Sequence, residues 1–232
     1  MEAIVLAGGF GTRLRQVVPE WPKPMAPVAG RPFLEILLKS LATKGFRRVV
    51  FSLGYMADKV VAHFGPRYAG LELVYQIEPE PLGTGGALRL ALTQCIADHV
   101  FVFNGDTYLD LEVSSLESHW QKRRAPIIVA RELTDTARYG RLDVDRGRGL
   151  VVGFAEKGKG GAGLINAGCY VFPTDILQDF ELNKPFSLES DFLSKVVARR
   201  QFDLFVTNGH FIDIGIPEDY SRAQTEFAGI WK

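Results

Sequence analysis

Three stretches of the chain concentrate the residue types that handle negatively charged oxygen. The first is Leu6-Ala7-Gly8-Gly9-Phe10-Gly11-Thr12-Arg13. Its glycines let the backbone turn sharply and bring N–H groups close to an anion. Arg13 adds a fixed cationic fork suited to phosphate oxygens. The second is Trp21-Pro22-Lys23-Pro24-Met25, where prolines on both sides of Lys23 stiffen the backbone that carries the ammonium. The third is Asn104-Gly105-Asp106-Thr107, a carboxylate directly after an apolar run. A polyphosphate is the guest that the glycine-rich loop and Arg13 suit.

Two other phosphate motifs fail. The dinucleotide fingerprint needs a glycine where Leu14 stands, and Gly153 to Lys159 has the P-loop spacing but Gly160 in place of Ser or Thr. Asp143-Val144-Asp145 has the letters of the D-x-D metal motif of glycosyltransferases, but it precedes Arg146-Gly-Arg-Gly on what reads as a hairpin. The histidines at 63, 99, 119 and 210 show no metal-ligand spacing and receive no role.

The elements that must carry these stretches can be read from hydrophobic pattern. Ala3 to Ala7 is a short apolar run ending in glycines, as a buried parallel strand would be. A helix is expected from Pro32 to Gly45, a strand from Val49 to Leu53, a helix from Ala57 to Phe64 and a strand from Leu71 to Ile77. An Ala/Leu-rich helix to about Thr93 and a strand from Val100 to Phe103 complete four alternations. That alternation predicts an α/β fold with a Rossmann-like, doubly wound, mostly parallel sheet in a single domain spanning 1–232. In such sheets ligands bind beyond the carboxyl ends of the strands, where the first and third stretches lie. The second half is less regular. Strands are expected at Ile127 to Ala130, Leu150 to Ala155 and Ile165 to Phe172, and helices at Ser187 to Arg200 and Pro217 to Phe227.

Taken together, LAGGFGTRL and PKPM resemble the N-terminal signature of the sugar nucleotidyltransferases. The resemblance runs in order from Ala3 to about Tyr220. It implies that the glycine-rich loop holds a nucleoside triphosphate and that Arg13 and Lys23 contact its phosphates. Pro81 to Leu88 is similar to the family's second glycine-rich segment, implying Gly83, Thr84 and Gly85 around the nucleobase; Gln76 before it offers an amide for base recognition. Asp106 matches the family's metal-binding GD motif and Asp213 its second metal-side aspartate, although Asp213 also reads as a turn residue capping the last helix. Gly140 resembles the segment that approaches the sugar. Glu156 and Lys157 match a pair contacting a sugar hydroxyl and the sugar phosphate, and Asn166 an amide that bonds the sugar. A surface ion-pair turn is the other reading of Glu156-Lys157.

The implied reaction joins an NTP and a sugar 1-phosphate into an NDP-sugar with release of pyrophosphate, assisted by Mg²⁺. Residues 1–110 are expected to serve mainly the nucleotide and 111–232 mainly the sugar phosphate, with no C-terminal β-helix. Lys23 to Glu35 is most similar to the heptose 1-phosphate guanylyltransferase branch, which favours GTP and a manno-configured heptose for bacterial surface polysaccharides. Mannose-1-phosphate guanylyltransferases and N-acetylmuramate 1-phosphate uridylyltransferases share much of the pattern, so base and sugar stay open here. A non-catalytic regulatory subunit would be expected to lose Arg13, Lys23 or Asp106.

Composition narrows the field further. The 232 residues are 47% hydrophobic and 23% charged, which excludes intrinsic disorder. Lys plus Arg equal Asp plus Glu at 27 each, so no basic excess points to nucleic acid. Cys95 and Cys169 lie in apolar surroundings outside any CxxC pair and read as core residues. No apolar run approaches a membrane span and Gly8-Gly9 interrupt the N-terminus early, so a cytoplasmic protein without a membrane partner is expected. The family resemblance allows a homo-oligomer.

Overall fold

A computed structural model describes residues 1–14, 17–155 and 160–229. The chain begins with β1 (Glu2–Leu6). A small hairpin, β2 (Pro27–Val28) and β3 (Arg31–Pro32), leads into α1 (Phe33–Thr43). Strand β4 (Arg48–Leu53), α2 (Ala57–Phe64), the short β5 (Arg67–Tyr68), β6 (Leu71–Ile77), α3 (Gly83–Ala91) and β7 (His99–Asn104) follow. Strands β1, β4 and β7 are mostly apolar runs, as strands covered on both faces must be, whereas β6 alternates and exposes Glu72 and Ile77.

After β7 come β8 (Thr107–Leu109), α4 (Val113–Arg123), β9 (Ile127–Leu133), β10 (Arg141–Asp145), β11 (Leu150–Ala155) and the long β12 (Gly163–Pro173). A wide, π-type turn of helix (Leu188–Leu193) runs into α5 (Ser194–Val196). Then come β13 (Asp203–Thr207), β14 (Phe211–Asp213) and α6 (Pro217–Glu226). The helix expected over Ser187 to Arg200 is therefore only partly regular. Leu188, Phe192 and Leu193 are all buried there, and a wider turn is what brings positions spaced four and five apart onto one face.

Ten strands form one sheet in the order β10-β11-β13-β9-β12-β7-β1-β4-β6-β5. The predicted parallel core is present: β7, β1, β4 and β6 pair parallel, with Val5 opposite both Phe51 and Phe103. The sheet as a whole is mixed rather than mostly parallel. Strand β12 enters antiparallel between β7 and β9, and the β10–β11 hairpin adds a further antiparallel pair. Part of the reason is local: β10 and β11 are joined by the four residues 146–149, a short connection that reverses direction, whereas a parallel return needs a long crossover.

Alternate residues of the central strands feed two cores on opposite faces. Ala3, Val5 and Phe51 pack with Leu37 of α1, Val60 of α2 and Trp120 of α4. Ile4, Val50 and Val102 pack with Leu88 of α3, Phe192 and Phe202. Helices thus cover both faces of the sheet. A third core ties Leu14, Phe33 and Ile36 to Ile212, Ile214 and Phe227, fastening the C-terminal helix beside the glycine-rich loop. Both cysteines are free and sit in or against these cores, as expected. No helix among the described residues is long and apolar enough to cross a membrane.

Candidate active site

The carboxyl ends of β1, β4 and β7 open on one side of the sheet, and three contiguous cavities lie there around Leu6. A cavity of about 230 Å³ is bounded by Ala7, Gly9, Gly11, Thr12, Arg13 and Lys23, with Asp106 and Gly215 opposite. A second, of about 330 Å³, is lined by Gly8, Phe10, Ser52, Glu78, Gly83 and Thr84. A third, of about 320 Å³, is bounded by Thr107, Arg138, Tyr139, Gly140, Asn166 and Glu189. Arg13 borders the first and third, Asp106 the first and second, and Asn104 the second and third.

The two aspartates meet because β8 pairs antiparallel with β14. Asp213 lies opposite Thr107, next to Asp106, and the Ile214 N–H donates to the Asp106 carbonyl at 3.0 Å. Lys23 sits between them, on a short turn held after Pro22. Its ammonium donates to Asp106 Oδ2 and lies 3.8 Å from Asp213 Oδ1. Burial, and then the neighbouring charge of Asp106, push the Asp213 carboxyl above the usual aspartate range, against the opposing pull of Lys23 and of the Gly215 N–H, which donates at 2.7 Å. The pair of carboxylates is thus a seat for positive charge, already engaged with one cation. A side chain at Gly215 would come within 2.9 Å of Lys23 Nζ, so this position admits no Cβ without moving the ammonium.

The neighbouring polar cavity takes its shape from a bulge in β12. The register with β9 shifts between Asn166 and Tyr170, and Gly168 adopts φ +67° with Asn104 packed where a Cβ would stand. Asn166 is held by its own neighbours: Nδ2 donates to the Tyr170 hydroxyl at 2.7 Å and Oδ1 accepts from the Gly168 N–H at 3.2 Å. Arg138 is anchored by Asp219 at 2.7 Å, and burial, followed by the charges of Asp213 and Asp219, raises the Tyr139 phenol.

Of the residues singled out from sequence, Leu6, Ala7, Gly8, Gly9, Gly11, Thr12, Arg13, Lys23, Gly83, Thr84, Asp106, Gly140, Asn166 and Asp213 all line this cleft. Glu156 and Lys157 lie outside the described residues. Gln76 does not line the cleft: it pairs in register with Ser52 on the sheet, and the cavity wall is made instead by Glu78, two residues on. Gly85 is also turned elsewhere. Its N–H donates to the Phe186 carbonyl at 2.9 Å, and the Phe186 ring occupies the space a side chain would need. Sequence reasoning overlooked Phe10, Ser52, Glu78, Arg138 and Glu189. Glu189 carried no signal, because its turn belongs to the irregular stretch after β12. The four histidines all pair with carboxylates away from the cleft: Glu35, Glu117, Asp203 and Glu226.

Residues 2–229 match the model of the nucleotidyl transferase family. D-glycero-alpha-D-manno-heptose 1-phosphate guanylyltransferase of Aneurinibacillus thermoaerophilus is 40% identical over 227 residues, covering 97% of this chain and 98% of that one. The enzyme of that description from Campylobacter jejuni is 38% identical over 220 residues, 95% of this chain and 97% of its own. The crystal structure of HddC from Yersinia pseudotuberculosis complexed with GMP-PN superposes with a TM-score of 0.86 at 40% identity, over 97% of this chain and 99% of that one.

Proposed function

The chain belongs to the nucleotidyl transferase family, and we propose that it transfers the guanylyl group of GTP to D-glycero-alpha-D-manno-heptose 1-phosphate, giving GDP-heptose and pyrophosphate in the cytoplasm. The observation that carries this reading is the Lys23–Asp106–Asp213 cluster at the junction of three cavities. A triphosphate in the glycine-rich cavity brings its α-phosphorus beside that cluster, with the base toward Gly8 and Thr84 and the sugar phosphate entering past Gly140 and Asn166. Full-length relatives with heptose and guanylyl specificity support the choice of substrates.

A phosphate oxygen of the sugar 1-phosphate attacks the α-phosphorus in line, and the bond to the bridging oxygen of pyrophosphate breaks. The nucleophile is already ionised near neutral pH, so no general base is required. What the chain supplies is alignment and neutralisation of charge. Arg13 faces both the phosphate cavity and the sugar cavity, where the attacking and leaving phosphates meet. Lys23, fixed between prolines, stabilises charge on the triphosphate. Asp106 and Asp213 would hold Mg²⁺, whose chemistry here is to neutralise phosphate oxygens; two carboxylates that already attract a cation fit that role. Glu156 and Lys157 remain assigned to the sugar and its phosphate by resemblance. On this reading residues 1–110 mainly serve the nucleotide and the remainder mainly the sugar phosphate.

The test is pyrophosphate release with Mg²⁺, each NTP separately and a panel of sugar 1-phosphates. Release with GTP and the heptose 1-phosphate above other pairs is the expected result. Turnover with mannose 1-phosphate at equal efficiency overturns the sugar assignment, and preference for UTP overturns the base assignment.

A further inference from the structure

The cavity beside the glycine-rich loop has two carboxylates in its mostly small and apolar wall: Asp106, which pairs with Lys23, and Glu78. Glu78 follows β6, its N–H donating to the Leu53 carbonyl at 2.7 Å. Its side chain is turned under Gly8, where no Cβ would fit. Oε1 accepts from Ser52 Oγ at 3.3 Å and Oε2 from the Leu82 N–H at 3.0 Å. Among the described residues no cation pairs with it, and burial raises its carboxyl above the ordinary glutamate range, partly opposed by those two hydrogen bonds. An ionised carboxylate offers about four acceptor positions and no donor. Two are engaged at the wall of the cavity, which leaves acceptor capacity with no protein partner.

Nucleobases differ in which edge meets such a group. Guanine presents two adjacent donors, N1–H and the 2-amino group. Adenine and cytosine place a ring acceptor beside their amino group, and uracil and thymine flank a single N–H with carbonyl oxygens. A carboxylate forms two charge-assisted bonds with guanine alone and opposes a carbonyl in uracil. Resting on the guanylyl reading above, we infer that Glu78 is the specificity-determining residue of this site, its carboxylate accepting from guanine N1–H and the 2-amino group. The second glycine-rich segment then serves as the flat wall, with Gly83 and Thr84 leaving room for the ring. A site whose polar group is built for a donor rejects the analogue that lacks it, because the buried acceptor is left unpaired.

Inosine triphosphate lacks only the 2-amino group, and 1-methyl-GTP carries a methyl group in place of the N1 proton. In the unmodified protein, kcat/KM for each is expected to fall about ten- to a hundred-fold below GTP. Glu78→Gln keeps an oxygen for the Leu82 N–H but turns an amide N–H₂ toward the base. In that variant the GTP-to-ITP preference is expected to collapse toward unity, while the use of UTP rises relative to GTP. Equal use of GTP and ITP by the unmodified protein overturns the inference without any variant. An equal fall with GTP, ITP and UTP in Glu78→Gln also overturns it, since that is the signature of a purely structural bond to Leu82. If the unmodified protein takes UTP and refuses GTP, the guanylyl reading fails as well; if GTP is preferred but its ratio to ITP ignores Glu78, only this inference fails.

Discussion

Asp213 shows how a carboxylate proposed to hold a metal ion is kept against its own preference. Burial and the adjacent Asp106 raise its pKa, so folding penalises its charged form at neutral pH. As pH falls through the raised folded-state value the proton binds in the native state first, and the penalty is lifted. Asp213→Asn keeps an acceptor for the Gly215 N–H and removes the like charge. It is expected to raise Tm by about 1–3 °C while lowering pyrophosphate release by at least about a hundred-fold; thermal scans showing a lower Tm would refute the strain argument. On the proposed reading, the same raised pKa is expected to place the acid limb of kcat/KM above the usual aspartate range, readable from a pH–rate profile. At this scale the sequence was largely legible, because glycine, proline and charge mark the loops that line the cleft directly. It misled at Gln76, since the period-two pattern of β6 ends at Ile77 and hides that the next residue turns inward. Gly85 was misread for a related reason: its partner Phe186 lies a hundred residues away, and no local signal reports that contact.

Elements translate these residues into a site. The bulge in β12 depends on Gly168 at φ +67° against Asn104. Gly168→Ala adds both left-handed backbone strain and an overlap, at a cost of about 1–3 kcal/mol. Because Asn166 shares this bulge, the variant should raise KM for the sugar phosphate more than KM for GTP in steady-state kinetics; equal increases would show that the bulge does not shape the sugar side. On the opposite flank, Asp203 of β13 receives His119 at 2.8 Å and Arg123 Nη2 at 3.2 Å, both from α4. Burial alone would raise this carboxyl, but the bonds from Arg123, His119 and Gln201 hold it below the ordinary value. Its contribution is therefore present above the unfolded-state pKa of about 4 and lost as pH falls through the lower folded value. Asp203→Asn is expected to lower Tm by a few degrees at pH 7 and to flatten the acid limb of a Tm-against-pH curve; an unchanged acid limb would assign that limb elsewhere. These elements were harder to foresee. Strand β13 opens with a buried aspartate, which reads as a loop residue until its partners are known. Helix α4 buries only Val113, Leu116 and Trp120, too few apolar positions to stand out among serines and charges. Strands β1, β4 and β7 needed no partners to be recognised, because burial on both faces writes itself as a nearly continuous apolar run.

At the scale of the whole molecule, the nucleotide and sugar-phosphate halves proposed above are not folding halves. Strand β12, from residues 163–173, pairs with β7 on one side and β9 on the other, and Phe186 accepts from the N–H groups of Gly85 and Gly86. A single cooperative unfolding transition is expected, with tryptophan fluorescence and far-ultraviolet circular dichroism coinciding; two separated transitions would contradict it. Mg²⁺ with GTP at about a hundred times its Kd should raise Tm by about 5–10 °C. The placement of β12 also has a consequence for biosynthesis. A ribosome-bound chain that has emerged only to β9 holds β7 and β9 without the strand that separates them. Each then presents an open, apolar edge to its surroundings. Through the interval in which residues 134–173 are being made, the nascent protein is at its most exposed to association with other chains. Slow translation over that interval would lengthen the exposure, whereas rapid delivery of the β12 segment closes the facing edges of β7 and β9 together, leaving the far edge of β9 for β13.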